Sequence, residues 1–223
     1  MLGGLSNDDA RSQAFAPGIV LLGAFARSVD RDLLAALSGI AMELPFHGLT
    51  TRCGWRVRAA VTNCGSVGWL ADQTGYRYVA EDPEGGQSGP AMPPVLLDVA
   101  TRAAGRAGFP DFRPDACLIS RYAPGSRLPL HQASRPQDVE PPVVCVSLGL
   151  PAIFLWDGMT RSEQPRYMRL AHGDVVVWGG EEQMTFHHVD RKREGDRSAS
   201  EKSRYNFMLR FTCEHGRAAS EPS

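Results

Sequence analysis

The stretch Ala116–His131, ACLISRYAPGSRLPLH, sets the architecture of the chain. Leu118, Ser120 and Tyr122 fall on one side of Cys117–Tyr122, the two-residue period of a strand, and Ala123–Gly125 supplies the turn that closes it. From here the chain reads as short strands separated by turns. They are Cys117–Tyr122, Val143–Leu148, Ile153–Trp156, Tyr167–Leu170, Val175–Trp178 and Arg204–Thr212, punctuated by Asp157–Gly158, His172–Asp174 and Gly179–Gly180. Short strands without intervening helices predict an antiparallel sandwich or jelly roll from about Ala116 to Thr212.

The last strand carries the chemistry of the set. In RYNFMLRF, alternation puts Arg204, Asn206, Met208 and Arg210 on one face and Tyr205, Phe207, Leu209 and Phe211 on the other. The apolar face has a core to enter. Two guanidiniums on the polar face need partners if buried, and they suit a small dicarboxylate through forked hydrogen bonds. An exposed strand face with two solvated arginines is the alternative.

Upstream, Asp30–Glu43 has helical spacing at Leu33, Leu34, Leu37, Ile40 and Ala41, with Ser28 or Asp30 as N-cap and Pro45 as the stop. Pro94–Ala107 is a second helix, with Val95, Leu96, Val99 and Ala103 on one face and Gly108 as its cap, and it reads as a support packed on a sheet. Val20–Ala24 is a short strand. Thr50–Gly89, rich in glycine and turn residues, reads as hairpins whose aromatics Trp55, Trp69, Tyr76 and Tyr78 either fill a small core or serve a site. The fold class is mostly β with flanking helices, α+β, in one domain over residues 16–213. Residues 1–15 are expected to be a mobile lead, Asp190–Lys202 a charged loop, and 214–223 a frayed tail.

Composition narrows the function. A net charge of −1 rules out a global basic field, so contact with nucleic acid would need a local patch. The five cysteines are scattered without a C-x-x-C pair, which argues against a zinc ribbon or a disulfide framework and suits a reducing cytoplasm. The N-terminal stretch lacks the features of a signal peptide, and no run reaches the roughly 20 apolar residues of a membrane helix. His131 and His187, 56 positions apart and followed by the arginine-bearing strand, resemble the ordering of the iron site in oxygenases dependent on 2-oxoglutarate. His188 adjoins His187, and spacing alone does not choose between them.

A more specific resemblance runs from about Ala16 to Thr212. Its stretches are AVTNCGSVGW, AMPP, FPDFRPDACLISRYAPGSRLPLHQ, VSLGLPAIF, HGDVVVWGG and RYNFMLRF, in that order. Together they resemble the bacterial form of the AlkB family of nucleic-acid dealkylating dioxygenases. The resemblance implies a double-stranded β-helix over 116–212, with a nucleotide-recognition lid within 16–90. It implies His131 and His187 as catalytic iron(II) ligands. It assigns 2-oxoglutarate to the segments holding Ser120, Arg121 and Tyr122 and Arg204, Tyr205, Asn206, Phe207, Met208, Leu209 and Arg210. Arg210 would bind the far carboxylate, with Arg204 and Asn206 assisting and Tyr122 donating a hydroxyl. Trp69 and His131 would sandwich a flipped base, since such chemistry needs the base out of the stack. Tyr76, Arg77, Tyr78, Arg135 and Arg161 would meet the substrate. The implied reaction is oxidative demethylation of 1-methyladenine and 3-methylcytosine type lesions in single- or double-stranded DNA, or RNA, using iron(II), 2-oxoglutarate and molecular oxygen. It releases formaldehyde. A cytoplasmic monomer is expected.

The chain departs from the family pattern at three positions. The first ligand motif, His-x-Asp in the family, is His131-Gln132-Ala133 here; an acidic residue is replaced by Arg135, and an asparagine by Ser120. Asp138 is the nearest acid downstream, and it would need a re-routed loop to reach the metal. An arginine about 4 Å from a cationic lesion would repel it by roughly 1 kcal/mol in water and about 4 kcal/mol at a dielectric of 20. These changes leave four readings: a working dealkylase with an unusual site, a damaged-base binder without turnover, a local error or engineered change confined to Ala133–Gln137 between flanks that keep register, and a halide filling the vacant ligand position.

Overall fold

The computed structural model describes residues 12–50, 56–72, 75–80, 89–123, 128–131, 141–158, 166–180, 183, 186–191 and 203–212. Its centre is a pair of facing antiparallel sheets. The larger is ordered β1 (Ser12–Ala16), β2 (Ile19–Leu22), β12 (Val175–Trp178), β9 (Val143–Gly149), β14 (Arg204–Arg210), β7 (Ala116–Tyr122), β4 (Arg56–Gly65), β3 (His47–Thr50). The smaller is β11 (Arg166–Leu170), β10 (Ala152–Gly158), β13 (Phe186–Arg191), β8 (Leu128–His131). A separate hairpin joins β5 (Gly68–Asp72) to β6 (Gly75–Val79). This is the jelly roll that the strand pattern predicts, with helices on one outer face.

Burial follows the two layers. α1 (Asp30–Glu43) and α2 (Pro94–Arg106) cover the outer face of the large sheet. There Leu33, Leu37, Leu96 and Val99 meet Ile119, Val144, Val146, Val175, Val177, Phe207 and Leu209. On the inner face, Ile19, Val176 and Trp178 meet Phe154, Met168 and Leu170 of the small sheet. Phe154 packs edge-on against Trp178, with ring centres 5.4 Å apart. β12 is covered on both sides, which explains why all four residues of VVVW are buried without any polar alternation.

α1 spans the range its spacing predicts, but its N-cap differs. Val29 precedes the helix without a side-chain cap bond, and Asp30 is the first helical residue. Asp30 instead accepts from His172 Nε2 at 2.9 Å, which ties the helix to the turn before β12. Gly149 N–H donates to His172 Nδ1 at 3.0 Å, so the ring proton lies on Nε2.

Several boundaries need correction. Of the expected mobile lead 1–15, Ser12 onward is strand, because SQAFA pairs with β2; residues 1–11 lie outside the described residues. The early strand is Ile19–Leu22, not Val20–Ala24. β14 stops at Arg210, and Phe211 beyond it is 41% exposed rather than core. β8 and β13 escape the strand pattern because LPLH holds a proline, tolerated at a sheet edge, and FHHVDR is mostly polar. The tail 214–223 and residues 192–202 lie outside the described residues.

Candidate active site

The floor of the site is the inner face of β14 between β7 and β9. The register sets Arg204 opposite Tyr122 and Gly149, Asn206 opposite Ser120 and Ser147, and Met208 opposite Leu118 and Cys145. Arg204 is 5% exposed. It donates to Ser147 Oγ at 3.0 Å and to the Leu150 carbonyl at 3.3 Å, while its buried Nε has no partner. Among the described residues, no carboxylate lies within ion-pair distance of it. Burial pushes the guanidinium's pKa down and raises that of the Tyr122 phenol. A buried cation with a spare donor and no carboxylate at ion-pair distance, only the charge of Asp174 farther off, is costly and suits an anionic ligand. A dicarboxylate cosubstrate therefore fits this donor set.

The two arginines stand six positions apart on one face of β14, about 20 Å along an extended strand, and the charges of both bear on the Cys145 thiol that lies between them. Arg210, half-buried, reaches Gln183 Oε1 at 3.5 Å, and buried Gln183 donates to the Pro141 carbonyl at 2.8 Å. The arginines bracket Asn206, and the deeper, under-partnered one is Arg204. Arg204 thus has the deeper setting and the spare donor, and both arginines stand on the face expected from sequence.

Four residues of the expected 2-oxoglutarate segments turn the other way. Arg121 is exposed on the helix side, its guanidinium 4.5 Å from the Phe46 ring centre. Tyr205 packs beside the same ring, and Phe207 and Leu209 are fully buried in the helix-side core. Their side chains are on the wrong face of β14 and β7, so these four could offer a pocket only main-chain groups.

Backbone register also orders the histidines. Positions 187 and 131 stand directly opposite each other in β13 and β8. Position 187 also pairs with Trp156, on the Phe154 face of β10, whereas His188 pairs with Leu155 on the other. Phe154 faces the large sheet, so alternation puts position 187 on the sandwich-facing side and 188 on the outside. Two imidazole donors fit this pairing, and position 133, an alanine, offers no third ligand atom. The side chains of His131, His187 and Tyr76, and the whole of Ala133, Arg135 and Arg161, lie outside the described residues.

The lid hairpin pairs Trp69 with Tyr78, Ala71 with Tyr76 and Leu70 with Arg77. Positions 69, 76 and 78 therefore fall on one face of the hairpin by register, and position 77 on the opposite one. Trp69 is half-buried. Sequence reasoning overlooked Asn63, Ser147 and Gln183. Ser147 had a legible signal: Cys145 and Ser147 interrupt VVCVSLG at a two-residue interval, which marks one face of β9 as polar. Gln183 had none.

The model of the 2OG-Fe(II) oxygenase superfamily matches residues 18–210. The chain is 41% identical over 198 residues to the alpha-ketoglutarate-dependent dioxygenase AlkB of Escherichia coli (strain K12), covering 89% of this chain and 92% of that protein. It is 40% identical over 171 residues to the AlkB homolog of Caulobacter vibrioides (strain NA1000 / CB15N), covering 77% and 76%. Among solved structures, OsALKBH1 superposes with a TM-score of 0.77 at 23% identity, over 90% of this chain and 100% of that one, which shows a shared fold.

Proposed function

Because the chain belongs to the AlkB family within the 2OG-Fe(II) oxygenase superfamily, it is an iron(II)- and 2-oxoglutarate-dependent dioxygenase, and we propose that it oxidatively demethylates N-alkylated bases of the 1-methyladenine and 3-methylcytosine type in nucleic acid. The observation that carries the site assignment is Arg204, buried, unpaired by any described carboxylate, and facing the interior beside Tyr122 and Asn206.

Arg204 binds one carboxylate of 2-oxoglutarate, Tyr122 donates its phenol, and Asn206 fills the floor between Ser120 and Ser147. Arg210, steadied by Gln183, closes the other end of the strand. His131 and His187 hold iron(II), which supplies oxygen activation at the expense of 2-oxoglutarate. Trp69 stacks on the extruded base, a contact worth roughly 1–3 kcal/mol. Tyr76, Tyr78, Arg135 and Arg161 meet the substrate strand. Oxidation turns the N-methyl group into N-hydroxymethyl, which breaks down to formaldehyde and the unmodified base. The protein acts as a cytoplasmic monomer on single- or double-stranded DNA, or RNA; no helix among the described residues is long and apolar enough to cross a membrane.

Ala133 favours a second reading, base binding without turnover. The test is incubation of a 3-methylcytosine oligonucleotide with iron(II) and 2-oxoglutarate, followed by product mass. Loss of the methyl group with formaldehyde supports demethylation; an intact lesion bound tightly by the protein supports the second reading.

A further inference from the structure

β4 carries the segment Thr62-Asn63-Cys64-Gly65, and its residues meet different parts of the fold. Thr62 Oγ1 donates to the Leu44 carbonyl at the end of α1, 2.7 Å away. Cys64 is buried in the helix-side core. Gly65 has φ +117°, and a Cβ there would collide with the Asp115 carbonyl. Asn63 is the one side chain of the four turned toward the small sheet, and it is 6% exposed. Both ends of its amide go to a single lid residue. Nδ2 donates to the Trp69 carbonyl at 3.0 Å, and Oδ1 accepts from Trp69 N–H at 3.1 Å.

We propose that Asn63 is a positioning residue that fixes Trp69 for base stacking; this rests on the stacking role proposed above. An amide that gives one donor and one acceptor to the same residue reproduces the bonds a neighbouring strand would make. Among the described residues the β5–β6 hairpin pairs with no third strand, and a two-stranded hairpin holds its place poorly alone. Asn63 supplies that missing edge from a strand pinned to α1 and the core. The main chain of Trp69 is thereby tied to the barrel as well as to Tyr78 within the lid. Asn63 stands across β7 from β14, so its effect should fall on the nucleic acid and not on 2-oxoglutarate.

The test compares full-length wild type with Asn63→Leu, which keeps the volume and removes the clamp, and with Trp69→Ala. The probes are a 3-methylcytosine single-stranded DNA oligonucleotide, 2-oxoglutarate, and amide hydrogen exchange. Asn63→Leu should weaken oligonucleotide binding about tenfold, the effect of one to two buried hydrogen bonds. It should speed exchange selectively in Gly68–Val79 and leave 2-oxoglutarate affinity within twofold. Wild-type oligonucleotide affinity in Asn63→Leu, with Trp69→Ala impaired, would overturn the positioning role alone. Unchanged affinity in Trp69→Ala would overturn the stacking role on which it rests. Equal losses of oligonucleotide and 2-oxoglutarate would also overturn the proposal, by showing general loosening. Should Asn63→Leu fail to fold, Asn63→Asp keeps the acceptor and gives up the donor; an intermediate loss supports the clamp, and none refutes it.

Discussion

Replacing Arg204 with methionine should separate affinity from stability. In the ligand-free chain Arg204 makes two hydrogen bonds, to Ser147 Oγ and the Leu150 carbonyl, and leaves Nε buried without a partner. Losing those bonds costs about 1 kcal/mol each. Against this stands the desolvation of a buried cation, which amounts to several kcal/mol. Arg204→Met should therefore unfold at the same temperature as wild type or higher. Binding of 2-oxoglutarate should move the other way. A charge-assisted hydrogen bond contributes roughly 1.5–3 kcal/mol, so the dissociation constant should rise about 10- to 150-fold. Calorimetric titration with 2-oxoglutarate, with manganese(II) as a redox-silent substitute for iron, reads the affinity; thermal unfolding with and without 2-oxoglutarate reads the stability. Wild-type affinity in Arg204→Met would refute the assignment. A large drop in ligand-free stability would refute the claim that the cation is costly in the empty fold.

Two further predictions follow from titration. The hydrogen bond from His172 is the main cause holding the Asp30 carboxyl below its usual range. Its stabilising effect is fully present above the unfolded carboxyl value near 4 and is lost as pH falls through the lower folded value. Asp30→Asn should thus lower the melting temperature at pH 7, and the difference should shrink at the acid limit; an unchanged difference there would exclude this linkage. Burial pushes the Cys145 thiol up to about 11, against a hydrogen bond to Asn206 that pulls it down. Iodoacetamide at pH 8 should label Cys145 far more slowly in the folded chain than in urea, as read by peptide mass. Because the folded value is raised, this thiol's contribution to stability is lost as pH rises from about 8.5 toward the folded value. Equal labelling rates would show the thiol to be open.

Much of this fold was legible because alternation survives where a sheet has two different faces. RYNFMLRF divides into Arg204, Asn206, Met208 and Arg210 against Phe207 and Leu209, as the register shows. α1 and α2 were legible from apolar spacing against one sheet face. β8 and β13 were not, since their pairing at His131 and His187 is set by tertiary register rather than by composition. The choice of His187 over His188 likewise needs a partner strand to define the face. Arg121 and Tyr205 were grouped with the pocket because contiguous segments were assigned whole, while the pleat sends alternate side chains away. Asn63 was hidden because its partner is main chain, which carries no sequence signal.

Formaldehyde release from 3-methylcytosine in single-stranded DNA, measured side by side for the chain as it stands and for Ala133→Asp, tests the proposed reaction most directly. Losing supporting groups around a metal typically costs about 10- to 100-fold, and losing a ligand should cost at least as much. Both proteins should release formaldehyde only with iron(II) and 2-oxoglutarate present, and Ala133→Asp should be at least about tenfold faster. Absence of formaldehyde from both would contradict the proposed reaction, and equal rates would contradict the role given to position 133.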